Sequence, residues 1–137
     1  MQVFLPTQAL SSIALLDPKR LGNQVYREAK TLISGGWPNH PASKIWSPHR
    51  HALACYALLG LEELTKRGRN YPRWYDFFSS IRDSEPDTGL PSIVGNARFH
   101  AGHRAALLAK DPAWYSQFGW TEQPEPDTKK AYIWSLS

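Results

Sequence analysis

Three times in 137 residues, a side chain that caps helices stands directly before a proline: Asp17-Pro18, Ser47-Pro48 and Asp111-Pro112. Asp and Ser accept hydrogen bonds from the free amides of a first helical turn. Proline has no N–H to leave unpaired there, and its fixed φ already suits a helix. Each signal opens a segment that ends at glycine. After the first, Leu21, Val25, Ala29 and Leu32 recur at i, i+4, i+8 and i+11, a buried stripe running to Ser34 and stopped by Gly35-Gly36. After the second, Leu53, Ala57, Gly60, Leu61 and Leu64 mark the longest helix. It ends at Gly68, with Lys66 and Arg67 suited to the negative end of the helix dipole. The third opens a short helix stopped by Gly119, and a helix from Ser92 or Asn96 to Lys110 is expected before it.

No run alternates as a half-buried strand would. The expected fold is therefore all-α, a single compact domain of about four helices over residues 1–137. An extended arm of sixteen residues precedes the helices, and an aromatic tail docks through Tyr132-Ile133-Trp134. Residues 37–42 read as a rigid proline-rich loop, followed by a short helical turn through Trp46. Residues 69–78 give no definite reading, and the polar stretch 83–91 reads as a mobile loop.

A net charge of +4 suits a polyanionic partner, because neutralising phosphates releases counterions. The single Cys55 leaves no internal disulfide and no multi-cysteine zinc site. With no apolar run long enough to span a bilayer and no signal-like start, a cytoplasmic protein with no membrane association is expected. The many Trp, Tyr and Phe residues serve either a core or a base-stacking surface. Trp37, Trp46 and Trp74 lie near loop or helix ends, where a ring either wedges into a base stack or packs in the core; the core is expected for each.

Candidate chemistry falls on the first helix. At spacings of four, Arg20, Gln24 and Glu28 align, with Arg27 and Thr31 beside them. A carboxylate between two guanidiniums is expected to stay ionised, and the same arginines can grip phosphates. Such a carboxylate stabilises the positive charge that develops as a glycosidic bond breaks. On spacing alone, an ordinary solvated face with i, i+4 ion pairs fits better. His100 and His103 share a helical face without an acidic third ligand, so no metal is expected. With Arg104 they form either a phosphate-contacting face or a packing and capping set.

Several motifs resemble one family. Val25-Tyr26-Arg27-Glu28-Ala29, Lys66-Arg67-Gly68 with Asn70, and the run Asp111 to Gly119 resemble segments of the pyrimidine-dimer DNA glycosylases of the phage endonuclease V superfamily. Arg20-Leu21-Gly22, Asn39-His40-Pro41 and the Phe99-to-Arg104 element resemble bacterial and phage members of the same superfamily. The resemblance implies a compact helical enzyme that distorts duplex DNA and displaces a base. It implies Glu28 as the essential carboxylate and Arg27 as a phosphate-binding residue, with Trp114 and Tyr115 near the damaged nucleotide. Arg20, Gln24, Asn39, His40, His100, His103 and Arg104 complete the expected DNA or substrate contacts.

One departure bears on mechanism. The phage enzymes attack the sugar with the amine of a threonine exposed when the initiator methionine is removed. Here the second residue is Gln2, large enough that Met1 is expected to stay. An α-amino group is partly neutral at pH 7 and remains a usable nucleophile, so Met1 joins Glu28 as an expected catalytic group. If the amine cannot reach the sugar, Glu28 activates water and no lyase step follows. The expected activity is excision of a damaged or modified pyrimidine from double-stranded DNA by a monomer that needs no cofactor, with an abasic-site lyase step if the amine reacts. The rivals are a glycosidase acting on a modified base or a free nucleotide, a non-catalytic nucleic-acid-binding module, and a histidine-metal enzyme.

Overall fold

The computed structural model describes residues 1–136 and shows an all-helical chain. A 3-10 turn, Leu10–Leu15, closes the N-terminal arm. The first helix, α1, is continuous over residues 18–33. It is an α-helix at Pro18–Asn23, a π-helix at Gln24–Ala29, and an α-helix again at Lys30–Ile33. Asp17 caps it as expected, accepting from the Arg20 amide at 3.4 Å, with Pro18 at its first position. Helix α2 is Pro41–Trp46, followed by the 3-10 turn Ser47–His49 and the longest helix, α3, Arg50–Lys66. Then come α4 (Pro72–Ser84), α5 (Ala97–Lys110), the short α6 (Pro112–Tyr115) and α7 (Thr128–Ala131) in the tail.

The expected stripes do form the core: Leu21, Val25, Ala29, Leu32, Leu53, Ala57, Leu61 and Leu64 are all buried. Helix α3 is central and packs against α1, α4 and the 3-10 turn of the arm. Gly60 permits that closeness. A Cβ there would lie 2.6 Å from Val25 Cγ2 and 2.7 Å from Ile13 Cδ1, inside van der Waals contact. The structure adds one long helix to the expected set, α4, in the stretch that gave no definite reading. Trp74, Phe77 and Phe78 form an edge-and-stack aromatic cluster there, and Phe78 is fully buried. Tertiary burial of those rings, rather than a cap signal, holds the helix together.

The arm is the least ordinary element. Residues 2–6 are buried and extended with no strand beside them, so their backbone groups must pair with side chains. Gln24 Oε1 accepts from the Phe4 amide at 2.9 Å, and Gln24 Nε2 donates to the Gln2 carbonyl at 2.9 Å. The Tyr56 hydroxyl lies 2.8 Å from the Phe4 carbonyl and 2.9 Å from Gln24 Oε1. His100 and His103 bracket the next residue: Nδ1 of His100 donates to the Leu5 carbonyl at 2.9 Å, and the Leu5 amide donates to Nδ1 of His103 at 2.9 Å. Four buried side chains thereby do the work of a neighbouring strand.

The tail docks through its aromatic residues. Tyr132 packs edge-on against Phe4 and His103, and Trp134 against Tyr132 and His40. Gly102 of α5 lets the tail in, since a Cβ there would sit 1.9 Å from the Ala131 carbonyl oxygen. No helix among the described residues is long and apolar enough to cross a membrane.

Candidate active site

Glu28 stands in the π-helical part of α1, at the meeting point of two concavities. One, of about 290 Å³, is lined by Lys19, Arg20 and Asn23 of α1, by Lys110, and by Thr128 and Tyr132 of the tail. The other, of about 200 Å³, is lined by Arg27, Thr31, Trp37 and His40. Met1 and Glu28 are the two residues that line both. A larger apolar cavity of about 770 Å³ lies between α3 and α4 and shares no residue with either. The polar groups able to do chemistry converge at Glu28, so the site is placed there despite its smaller volume.

The Glu28 carboxyl is held above its ordinary pKa range. Burial is the dominant cause, opposed by the Met1 amine and then by Arg27. One carboxyl oxygen, Oε2, is buried and accepts no hydrogen bond within the protein. This corrects the expectation of a carboxylate kept ionised by two flanking guanidiniums. Arg20 lines the cleft but pairs with Asp17, Nη1 to Oδ2 at 3.2 Å, and desolvation of Glu28 outweighs the positive charge around it. The result is a carboxyl with raised proton affinity at the back of a basic cleft, a group suited to proton transfer.

Gln24 is also reassigned. It lines the larger concavity with Glu28 but is not a free surface contact; it is 3% exposed, and its amide is consumed by the arm. Arg20, Gln24 and Glu28 all line that concavity, as their spacing of four predicts, but the arm covers the Gln24 amide. What Gln24 does instead is seat the arm, and with it Met1, against the helix that carries Glu28.

The remaining expected contacts divide. Arg27 is exposed on the rim and makes no ion pair among the described residues. His40 lines the smaller concavity, where burial holds its pKa below the ordinary imidazole range, followed in effect by the Met1 amine. Its Nδ1 accepts from the Ala42 amide at 3.0 Å, which leaves the proton of the neutral ring on Nε2. Asn39 is exposed next to it.

Other residues are elsewhere. His100 and His103 are buried against the arm and form no basic face; burial pushes the His103 pKa down to about 3. Arg104 is occupied by Glu122, Nε to Oε1 at 2.8 Å, and by the Pro6 carbonyl at 2.7 Å. Tyr115 is fully buried, donating to Asp17 Oδ1 at 2.5 Å, and Trp114 Nε1 donates to the Leu15 carbonyl at 2.8 Å. These five side chains fasten the arm and the start of α1 to the body. Neither aromatic lines the Glu28 cleft.

Lys19, Lys110, Thr128 and Tyr132 were not legible as site residues. Lys110 is the last residue of α5, and Thr128 and Tyr132 reach the cleft only because the tail folds back. The aromatic tail signal pointed to docking but not to the place. Burial, followed by the nearby Glu28 charge, overcomes Arg20 and pushes the Tyr132 hydroxyl up to about 12, so it is a neutral donor beside the carboxyl.

A half-buried carboxyl, a terminal amine and basic side chains around one cleft on an all-helical scaffold are the parts of an enzyme that cleaves glycosidic bonds in a polyanion. Residues 1–76 match the pyrimidine dimer DNA glycosylase family, and the chain belongs to that family. It is a DNA glycosylase in the general sense, with DNA as its substrate class. The matched segment holds Met1, Arg20, Arg27, Glu28, Trp37 and His40, and ends within α4. No curated protein and no solved structure matches the chain.

Proposed function

We propose that this DNA glycosylase removes damaged or modified pyrimidines, of the dimer type, from duplex DNA, with Glu28 as the central carboxyl and the Met1 amine as nucleophile. The observation that carries this reading is the convergence of Met1 and Glu28 as the shared lining of two concavities under a basic rim. Lys19, Arg20, Arg27 and Lys110 supply positive charge for the phosphates on either side of the displaced nucleotide. The protein acts as a monomer in the cytoplasm, and no step calls for a cofactor.

In the chemical step the amine lone pair forms a bond to the sugar C1′ while the C1′–N bond to the base breaks, its electron pair leaving with the base. The amine sheds a proton and the departing base takes one up. A carboxyl with raised proton affinity beside both is suited to carry that transfer. Its ionised form stabilises positive charge on the sugar. Opening of the sugar ring gives an imine between Met1 and C1′. That imine acidifies C2′, and proton loss there expels the 3′ phosphate, which is the lyase step. His40 Nε2–H and the Tyr132 hydroxyl are neutral donors for the sugar oxygens or the leaving base.

The test is borohydride trapping during reaction with ultraviolet-irradiated duplex, followed by peptide mapping. The expected result is a reduced sugar adduct on the Met1 peptide, absent with Glu28→Gln. Base release without any adduct would replace the amine by a Glu28-activated water. Release from mononucleotides alone would overturn the DNA reading.

A further inference from the structure

Trp37 is the most exposed large apolar side chain among the described residues, 64% accessible, and it stands at the rim of the Glu28 cleft beside Arg27 and His40. Its backbone is strained. With φ at +55° it is the one non-glycine residue described in the left-handed region, which a bulky L-residue avoids because its Cβ crowds the following carbonyl. The strain is fixed locally. Gly35 takes φ +80° ahead of it, the Gly36 amide donates to the Thr31 carbonyl at 2.9 Å, and the His40 amide donates to the Trp37 carbonyl at 3.0 Å. Pro38 stiffens the exit.

Nothing in the fold repays this arrangement. The other tryptophans are engaged. Trp46 is buried, Trp74 sits in the α4 cluster, Trp114 bonds to Leu15, Trp120 stacks on Tyr115, and Trp134 packs on His40. The Trp37 indole makes no such contact. A strained segment that holds a large flat ring out into solvent, next to a catalytic carboxyl, is arranged for an external aromatic partner. In DNA that partner is a nucleobase.

We propose that Trp37 inserts into the duplex as the base leaves it, stacking on the base pair that flanks the opening and holding the gap apart. This rests on the reading of the Glu28 cleft as the base-excising site. Displacing a base sacrifices stacking on both sides, and an inserted apolar ring restores part of it. A strained backbone gives the ring a fixed angle of entry, so little conformational freedom is lost on binding.

The test measures affinity for DNA carrying a tetrahydrofuran abasic analogue, in duplex and in single strand, with a 2-aminopurine beside the lesion. Trp37→Ala is expected to weaken duplex binding by about 10- to 100-fold, the scale of one lost stacking contact, and to leave single-strand binding unchanged. Trp37→Phe should restore most of the affinity. The 2-aminopurine signal on binding should differ between wild type and Trp37→Ala, because the ring changes the stack. Trp37→Gly relieves the backbone and should fold at least as stably as wild type while binding as poorly as Trp37→Ala, which separates function from folding. Equal losses on duplex and single strand would overturn the proposal in favour of a ring that stacks on any exposed base. Duplex binding unaffected by Trp37→Ala would overturn it outright. If no lesion is excised yet duplex binding still depends on Trp37, the catalytic reading fails and the insertion stands.

Discussion

Gln24 and Phe4, twenty residues apart in the chain, are joined by a 2.9 Å hydrogen bond from the Phe4 amide to the Gln24 side-chain oxygen. Through it the helix that bears Glu28 grips the segment that bears Met1. Replacing Gln24 by Ala strands the Phe4 amide and the Gln2 carbonyl in a buried place. The expected cost is about 2–4 kcal/mol, read as a Tm lower by roughly 10 °C. Base release measured well below that Tm should fall further than the folded fraction does, because Met1 loses its seat. Activity that tracks the folded fraction alone would show that the arm is held without Gln24.

Glu28→Gln should separate activity from stability. Loss of the charge that meets the developing cation is expected to lower kcat by about 100-fold or more. The sign for stability is opposite. The native carboxyl binds its proton more tightly than the unfolded one, since burial raises its pKa. Ionisation therefore costs native stability as pH climbs from the ordinary carboxyl range through the raised value. The variant escapes that cost, so its Tm should exceed that of wild type at neutral pH. The gap should close near about pH 4, where both side chains are neutral. Calorimetric scans across pH check it.

His103 predicts an acid transition. Burial holds its pKa at about 3, against an ordinary value of 6.5 in the unfolded chain, and the neutral ring accepts from the Leu5 amide. Below 6.5 the unfolded chain takes up a proton that the native chain refuses. Stability present above that pH is lost steadily as pH falls toward about 3. His100, also depressed by burial, pulls the same way. Urea titrations should show a free energy of unfolding that drops from pH 6.5 downward. A His103→Asn variant, though less stable at neutral pH, should show a shallower drop.

Gly102→Ala should dislodge the tail. The new methyl would lie 1.9 Å from the Ala131 carbonyl oxygen, so α7 must lift away. A cost of about 1–3 kcal/mol is expected, with Lys129 and Lys130 becoming open to trypsin. Tyr132 leaves the cleft with the tail, and base release should fall. Unchanged trypsin resistance would show that α5 yields instead.

What the sequence revealed of the fold was its local chemistry. Asp17-Pro18 and Asp111-Pro112 cap the helices they precede, because capping is decided within one turn, whereas Ser47-Pro48 opens only a 3-10 turn and the Ser47 side chain caps nothing. Helix α4 was not visible, since Trp74, Phe77 and Phe78 become a helix face only when α3 is there to cover them. The site divides in the same way. Glu28 and Arg27 were singled out by their spacing on one helix together with the family motif that spans them. The buried roles of Gln24, His100 and His103 depend on the Phe4 and Leu5 backbone, a contact spanning up to 98 residues that no local spacing encodes. Tyr132 and Lys110 were missed for the same reason, because the fold-back of the tail brings them to the cleft.

The wide turn at residues 24–29 makes chain length, more than side-chain identity, the constraint on this stretch. A helix closed i→i+5 carries one residue beyond what an α-helix of equal span would use. Deleting a residue there would let the helix relax to i→i+4 over the same span, so Leu32 and Ile33 could keep their places in the core. The turn that carries Glu28 would tighten, and Glu28 would lose its place beside Met1. Point substitutions on the outer side of the turn should spare the site, whereas deletion of a single codon should spare the fold and disrupt the site.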